Sequence, residues 1–187
     1  QILLLTILIP FLGYTQINTF PWVQDFDSGA GLINLPNDDG DWVIWSGSTY
    51  SNFTGPQGDH TTGNGNYWYI ESSMPNFPSK VFMCQTDTFD ISSTPGQILS
   101  FWYHMYDGQP SNGDAMGDLN IWLHDSNGLT IIDSIQGDQG DEWLLKYIDL
   151  DNLNIVGNFY IVFEGITGTS WTSDICLDDL YIGDPYP

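Results

Sequence analysis

Three histidines, two cysteines and an excess of aspartates are the residues of this 187-residue chain that could do chemistry. His60, His104 and His124 are scattered, without the His-Glu-x-x-His or paired-cysteine spacing that a zinc ion requires. No Gly-x-Ser-x-Gly turn presents a nucleophile, and Cys84 has no histidine near it in sequence, so a base would have to arrive through the fold. Gly63-Asn64-Gly65 lacks the Gly-Lys-Ser/Thr continuation of a phosphate loop. Two carboxylates can hydrolyse a glycosidic bond, but among 24 acids no pair stands out. Lys80 and Lys146 are the only basic residues besides histidine, which leaves a phosphate or carboxylate substrate without an arginine anchor. The expectation is a chain without an active site.

The acids point instead to a cation. All but Glu71, Glu142 and Glu164 are aspartates, whose short side chains suit turns and calcium sites. Gln24-Asp25-Phe26-Asp27 opens the folded part, and Asp178-Asp179 lies in the last strand pattern. The first and last strands of a sandwich often meet, so Asp25, Asp27, Asp178 and Asp179 can converge, and stacked carboxylates repel unless a cation neutralises them. Ligands that are all oxygen select Ca2+ or another hard cation over transition metals. The alternative is a set of exposed or hydrogen-bonded acids on a surface suited to high salt. Asn37-Asp38-Asp39-Gly40-Asp41 has the composition of an EF-hand loop, but its spacing is wrong and no glutamate closes it. A formal charge of -22 repels phosphate backbones and anionic lipid, which excludes nucleic acid as a partner.

Residues 2–12 form an apolar run of the length of a secretory signal core, well short of the roughly 20 residues of a membrane span. Residues 1–16 are accordingly expected to be part of a signal peptide, with a secreted or cell-surface product and no membrane insertion after its removal; a buried first strand is the alternative. In an oxidising compartment, Cys84 and Cys176 are expected to pair, with two separate buried thiols as the other possibility.

The elements that must position these residues are strands. Twenty glycines and ten prolines break the chain into short pieces, and no stretch sustains a helical period. Strand patterns occur at residues 41–45, 67–71, 98–106, 143–150, 158–164 and 175–182. A further pair, 119–124 and 129–132, flanks Asp125-Ser126-Asn127-Gly128, whose Asn-Gly step supplies the positive φ angles of a tight hairpin turn. Many short strands in one chain of this size imply a two-sheet sandwich.

The motifs fall in a recognisable order. Asp25-Phe26-Asp27, Asp41-Trp42, Thr54-Gly55-Pro56, Asp59-His60-Thr61-Thr62-Gly63 and Gly65-Asn66-Tyr67-Trp68-Tyr69-Ile70-Glu71 are followed by Leu99-Ser100-Phe101-Trp102-Tyr103-His104-Met105-Tyr106. Gly117-Asp118-Leu119, Phe163-Glu164-Gly165 and Ser173-Asp174-Ile175-Cys176-Leu177-Asp178-Asp179-Leu180 complete the set. This order resembles the MAM domain family, named from meprin, neuropilin and receptor tyrosine phosphatase mu. The resemblance implies an all-β fold, a jelly-roll-like antiparallel β-sandwich over residues 17–183, with 184–187 as the start of a linker. It implies a non-catalytic extracellular module for adhesion or protein interaction, part of a larger secreted or surface protein, whose partner is another protein or a second copy of itself. It also implies a structural Ca2+ or Na+ ion, and adds Asp59 to Asp25, Asp27, Asp178 and Asp179 as ligands. His60, in the same motif as Asp59, is expected to make a structural hydrogen bond. The family's disulfide pattern does not carry over, because Gln24 stands where its first cysteine would be. A carbohydrate-binding module, or an accessory domain of a secreted hydrolase, is the alternative function: Trp102, Tyr103 and Tyr106 could stack on sugars, although strand alternation makes about half of them core.

Overall fold

A computed structural model describes residues 16–108 and 115–185. Thirteen strands, numbered in chain order, account for nearly all regular structure among the described residues, beside one 3-10 turn at Asp151–Leu153. One sheet has five strands in the order β10 (Gly128–Gln136), β9 (Asp118–Asp125), β12 (Tyr160–Ile166), β6 (Val81–Gln85) and β3 (Ile33–Asn34). The second runs β11 (Leu144–Asp149), β8 (Ile98–Met105), β13 (Ile175–Gly183), β5 (Asn66–Ile70) and β4 (Val43–Ser46), with β2 (Trp22–Gln24) paired to the far end of β13. Every pairing within these two sheets is antiparallel. Two short strands, β1 (Gln16–Ile17) and β7 (Thr88–Phe89), pair in parallel at the edge.

Alternation builds the core between the sheets. Phe101, Tyr103 and Met105 of β8 face inward, against Leu119, Ile121 and Leu123 of β9 and Ile161 and Phe163 of β12. Trp42 is buried with its indole N–H donated to the Phe82 carbonyl at 3.1 Å, so its polar edge is satisfied within the core. Phe26 stacks on Trp68 at 5.7 Å between ring centroids, pinning the chain between its flanking aspartates to the body of the fold. The all-β sandwich is therefore as expected, and the anticipated hairpin forms between β9 and β10.

The cysteines differ from expectation, and the termini fall largely outside the described residues. Of the anticipated leader, residues 1–15 lie outside the described residues, while Gln16 opens β1. Asp184, placed in the linker, is tied to the body by the Gln97 side-chain amide at 2.7 Å; residues 186–187 lie outside the described residues. The Cys84–Cys176 bridge is not formed, and both thiols are free and buried. The reason is topological. Cys84 points from β6 into the core, where its sulfur accepts the Trp68 indole N–H at 3.3 Å, whereas Cys176 points from β13 to the opposite side of the other sheet. Both occupy apolar positions, and burial pushes both thiols up from their ordinary pKa. Among the described residues no helix is long and apolar enough to cross a membrane.

Candidate functional site

β13 contains an irregularity that its own sequence announces. Ile175, Leu177, Leu180 and Ile182 all enter the core, so the inward spacing lengthens by one residue between Leu177 and Leu180. The register with β8 shifts there, from Asp178 opposite Trp102 to Tyr181 opposite Ser100, and Asp179 takes a left-handed φ of 46°. At the same point the neighbour of β13 changes from β5 to β2. Residues 59–65 fill the gap, and the bulge turns Asp178 and Asp179 toward them.

Asp178 is buried and accepts the backbone N–H groups of His60 and Asp179, each at 2.8 Å. Its pKa is pushed up to about 7, first by burial and then by the Asp179 and Asp59 carboxylates. Asp179 meets His60 Nδ1 at 2.7 Å and accepts the Thr61 hydroxyl. Asp59 is also buried, but the N–H groups of Thr62 (2.8 Å) and Gly65 (2.6 Å) outweigh the cost of its burial and hold it below the usual carboxylate range. Asp27 accepts the Asn66 N–H at 2.7 Å. A Cβ on Gly65 would lie 2.3 Å from Asp27 Oδ1 and 3.0 Å from Asp59 Oδ2, so these two carboxylates close over that glycine.

Four of the five expected acids thus form a chain in space, Asp27–Asp59–Asp178–Asp179. Asp25 stands apart on an exposed turn, accepting the Asp27 N–H at 3.1 Å. Among the described residues no three His, Cys, Asp or Glu side chains stand together closely enough to hold a metal ion. The donor chemistry nonetheless suits a hard cation: apart from His60 the side-chain donors are oxygens, and both lysines pair elsewhere, Lys80 with Asp39 and Lys146 with Asp133. His60 makes the structural contact expected of it, and its ring also stacks on Trp102 with centroids 3.6 Å apart. The acids of residues 37–41 serve another purpose. Asp38 and Asp39 accept the N–H groups of Met83 and Val81, as a neighbouring strand would.

Beyond the bulge, the outer face of the six-stranded sheet carries a second, aromatic layer. Tyr67, Tyr69 and Cys176 are buried there, with Trp45 and Trp143 packed against them. Asp174 anchors the segment that covers this layer. It is fully buried and accepts the Thr54 hydroxyl (2.5 Å), the Tyr69 hydroxyl (3.1 Å), and the Ser72 N–H (3.0 Å) and hydroxyl (2.9 Å). Burial raises its pKa against the pull of those donors.

Trp143 donates its indole N–H to the Gly58 carbonyl at 3.1 Å and presents an edge-on contact to His104 at 5.6 Å. Beside it opens a cavity of about 370 Å³, lined in part by Pro56, Gln57, His104, Asp141, Glu142 and Trp143. A second hollow of about 200 Å³ shares Gln57 and Asp141 with it and continues to Tyr106 and Phe53. Phe53 is one of three exposed apolar side chains on neighbouring loops. Tyr50 (77% exposed), Phe53 (71%) and Met74 (74%) project from two loops that touch through the Ser51 and Ser73 hydroxyls, 3.2 Å apart. Phe53 holds a φ of 65°, and Gly108 passes so close that a Cβ there would lie 1.9 Å from its carbonyl oxygen. A large apolar side chain is thus kept in a left-handed backbone and directed to solvent.

Of the aromatics that could stack on sugars, Tyr103 is core and Trp102 has one face covered by His60, leaving half-exposed Tyr106. Asp174, the Asp141–Glu142–Trp143 group and the role of His104 were not anticipated. Asp174 and His104 lie in the family-like motifs, but those motifs carry no sign of the roles the two residues take.

The description MAM domain, meprin/A5/mu, matches residues 25–185. Thyroid hormone-induced protein B of Xenopus laevis is 34% identical over 144 residues, covering 75% of this chain and 19% of that protein. MAM domain-containing glycosylphosphatidylinositol anchor protein 2 of Mus musculus is 30% identical over 193 residues, covering 92% of this chain and 19% of that protein. This chain therefore spans about a fifth of the length of these relatives. Among solved structures, the K1 cleaved adhesin domain of Lys-gingipain from Porphyromonas gingivalis W83 superposes with a TM-score of 0.59 at 18% identity, covering 90% of this chain and all of that one.

Proposed function

Because this chain belongs to the MAM domain family, we propose that it acts as a non-catalytic extracellular module that joins the larger protein carrying it to a protein partner. The observation that carries the reading is the apolar cluster of Tyr50, Phe53 and Met74, exposed on adjoining loops at one end of the sandwich. Side chains of this size held in water by structured loops lower the free energy of association when a partner covers them. With a charge of -22 on every copy, a different protein is favoured over a second copy as that partner. A glycan is the rival: of the sugar-stacking candidates on β8 only Tyr106 is open, since Tyr103 is buried and Trp102 is covered by His60. The test is binding of the labelled chain to cells before and after enzymatic removal of their glycans. Binding that survives and is lost with Phe53→Ser supports a protein partner, whereas binding that disappears with the glycans overturns it.

We further infer that Asp27, Asp59 and Asp178, which as they stand do not converge tightly enough to hold an ion, draw together on a cation, Ca2+ or Na+, at the β13 bulge, with Asp179 oriented by His60. A buried carboxylate whose charged neighbours are carboxylates supports this reading. Asp25 belongs to the turn that presents Asp27 and contributes no ligand there.

A further inference from the structure

The cavity beside Trp143 has an unusual wall. His104 is 2% exposed; its Nε2 faces Asp141 at 3.4 Å, and its Nδ1 has no hydrogen-bond partner. Burial drives the imidazole pKa down to about 4, against the pull of Asp141 and Asp138, so the ring is neutral near pH 7. With Nε2–H donated to Asp141, Nδ1 is a buried acceptor that lacks a donor.

The Trp143 ring is held by its bond to Gly58 and by edge-on contacts to Tyr67, His60 and His104. Asp141 and Glu142 are exposed at the rim and have no lysine partner, since Lys80 and Lys146 pair with Asp39 and Asp133. The cavity, lined also by the hydrogen-bonded Asp59, therefore combines an aromatic wall, two exposed carboxylates without a cationic partner and, in the buried His104 ring, an acceptor without a donor, and no lysine of this chain supplies the complementary cation. An ammonium would satisfy the charge, but a planar guanidinium satisfies more of the wall, lying against an aromatic ring while its N–H fork meets a carboxylate.

We propose that this cavity receives an arginine side chain of the protein partner, its guanidinium against Trp143 and between Asp141 and Glu142. The inference rests on the reading of the chain as a protein-binding module and names the chemistry of the partner. The shared hollow of Gln57 and Asp141 places the arginine socket next to the apolar loop cluster, so one basic and apolar surface would meet both.

The test is titration of the full chain with the tripeptide Gly-Arg-Gly, followed through the Trp143 indole N–H signal in NMR spectra. Gly-citrulline-Gly, isosteric and uncharged, and Gly-Lys-Gly serve as the comparisons. The expected result is a saturable shift with Gly-Arg-Gly, at least roughly tenfold weaker with the citrulline peptide. Asp141→Asn with Glu142→Gln, both at exposed positions, should abolish that shift without changing the melting temperature. Absence of saturation, equal response to citrulline, stronger response to lysine, or persistence in the double variant would each overturn the socket. Loss of the tripeptide response while adhesion still depends on Phe53 removes this inference alone. Adhesion independent of Phe53 removes the parent reading, whatever the tripeptide does.

Discussion

Asp174 is the residue whose loss should be felt most. Its carboxylate collects four donors from three residues with no exposure to water, and removing it leaves the Tyr69 hydroxyl and the Ser72 N–H without their acceptor. Asp174→Ala is expected to cost about 3 kcal/mol or more in urea unfolding, while Thr54→Val, which removes one donor, should cost about 1 kcal/mol. His104 makes a pH-dependent contribution of opposite origin, through a depressed pKa. Above pH 6.5 the ring is neutral in both the folded and unfolded chain, so nothing depends on it. Between pH 6.5 and about 4 the unfolded chain alone takes up the proton, and this share of stability falls as pH drops. Comparing wild type with His104→Gln between pH 7 and 4 should expose a loss on the order of 3 kcal/mol in the wild type that the variant lacks. The thiols give a simpler check. Neither Cys84 nor Cys176 should react with a thiol reagent in the native chain, and both should react in denaturant.

At the scale of elements, the functional geometry depends on one extra residue in β13. The strand itself was legible, and so was the clue within it, because Leu177 and Leu180 cannot face one side of a regular strand. The longest patterns translated well. Residues 98–106 became Ile98–Met105, and residues 175–182 became Ile175–Gly183. β6 was missed because Val81-Phe82-Met83-Cys84 is a short apolar run without alternation, which periodicity cannot assign. It lies inside its sheet between β12 and β3, with Phe82 and Cys84 buried and Val81 and Met83 half-buried. Asp59 emerged only through the family motif, and the aromatic cavity not at all. Trp143, His104 and Gly58 meet through three separate segments, and no local pattern encodes that meeting. Gly65 joins the two halves of the acidic chain, so Gly65→Ala should push Asp27 and Asp59 apart and lower the melting temperature even without added cation.

The whole molecule carries its charge unevenly paired: two lysines in ion pairs against 24 acids. A cation bound only by the folded chain would stabilise it by about 2.7 kcal/mol at a concentration one hundred times Kd, a shift of several degrees for a chain of this size. Calcium should raise the melting temperature beyond a chelated sample of equal ionic strength, and Asp178→Asn should remove that response. In chelator the same variant relieves a charge crowded by Asp59 and Asp179 but turns its amide NH2 toward one of the two N–H donors that Asp178 accepts, so no gain in stability over wild type is expected. The central claim, however, concerns the loop end of the sandwich, where the apolar cluster and the acidic cavity lie side by side. The most direct measurement is attachment of chain-coated beads to partner-bearing cells, comparing wild type with a Tyr50→Ser, Phe53→Ser, Met74→Ser variant of equal melting temperature. The account predicts attachment by the wild type and its loss in the variant; attachment undiminished in the variant would contradict it.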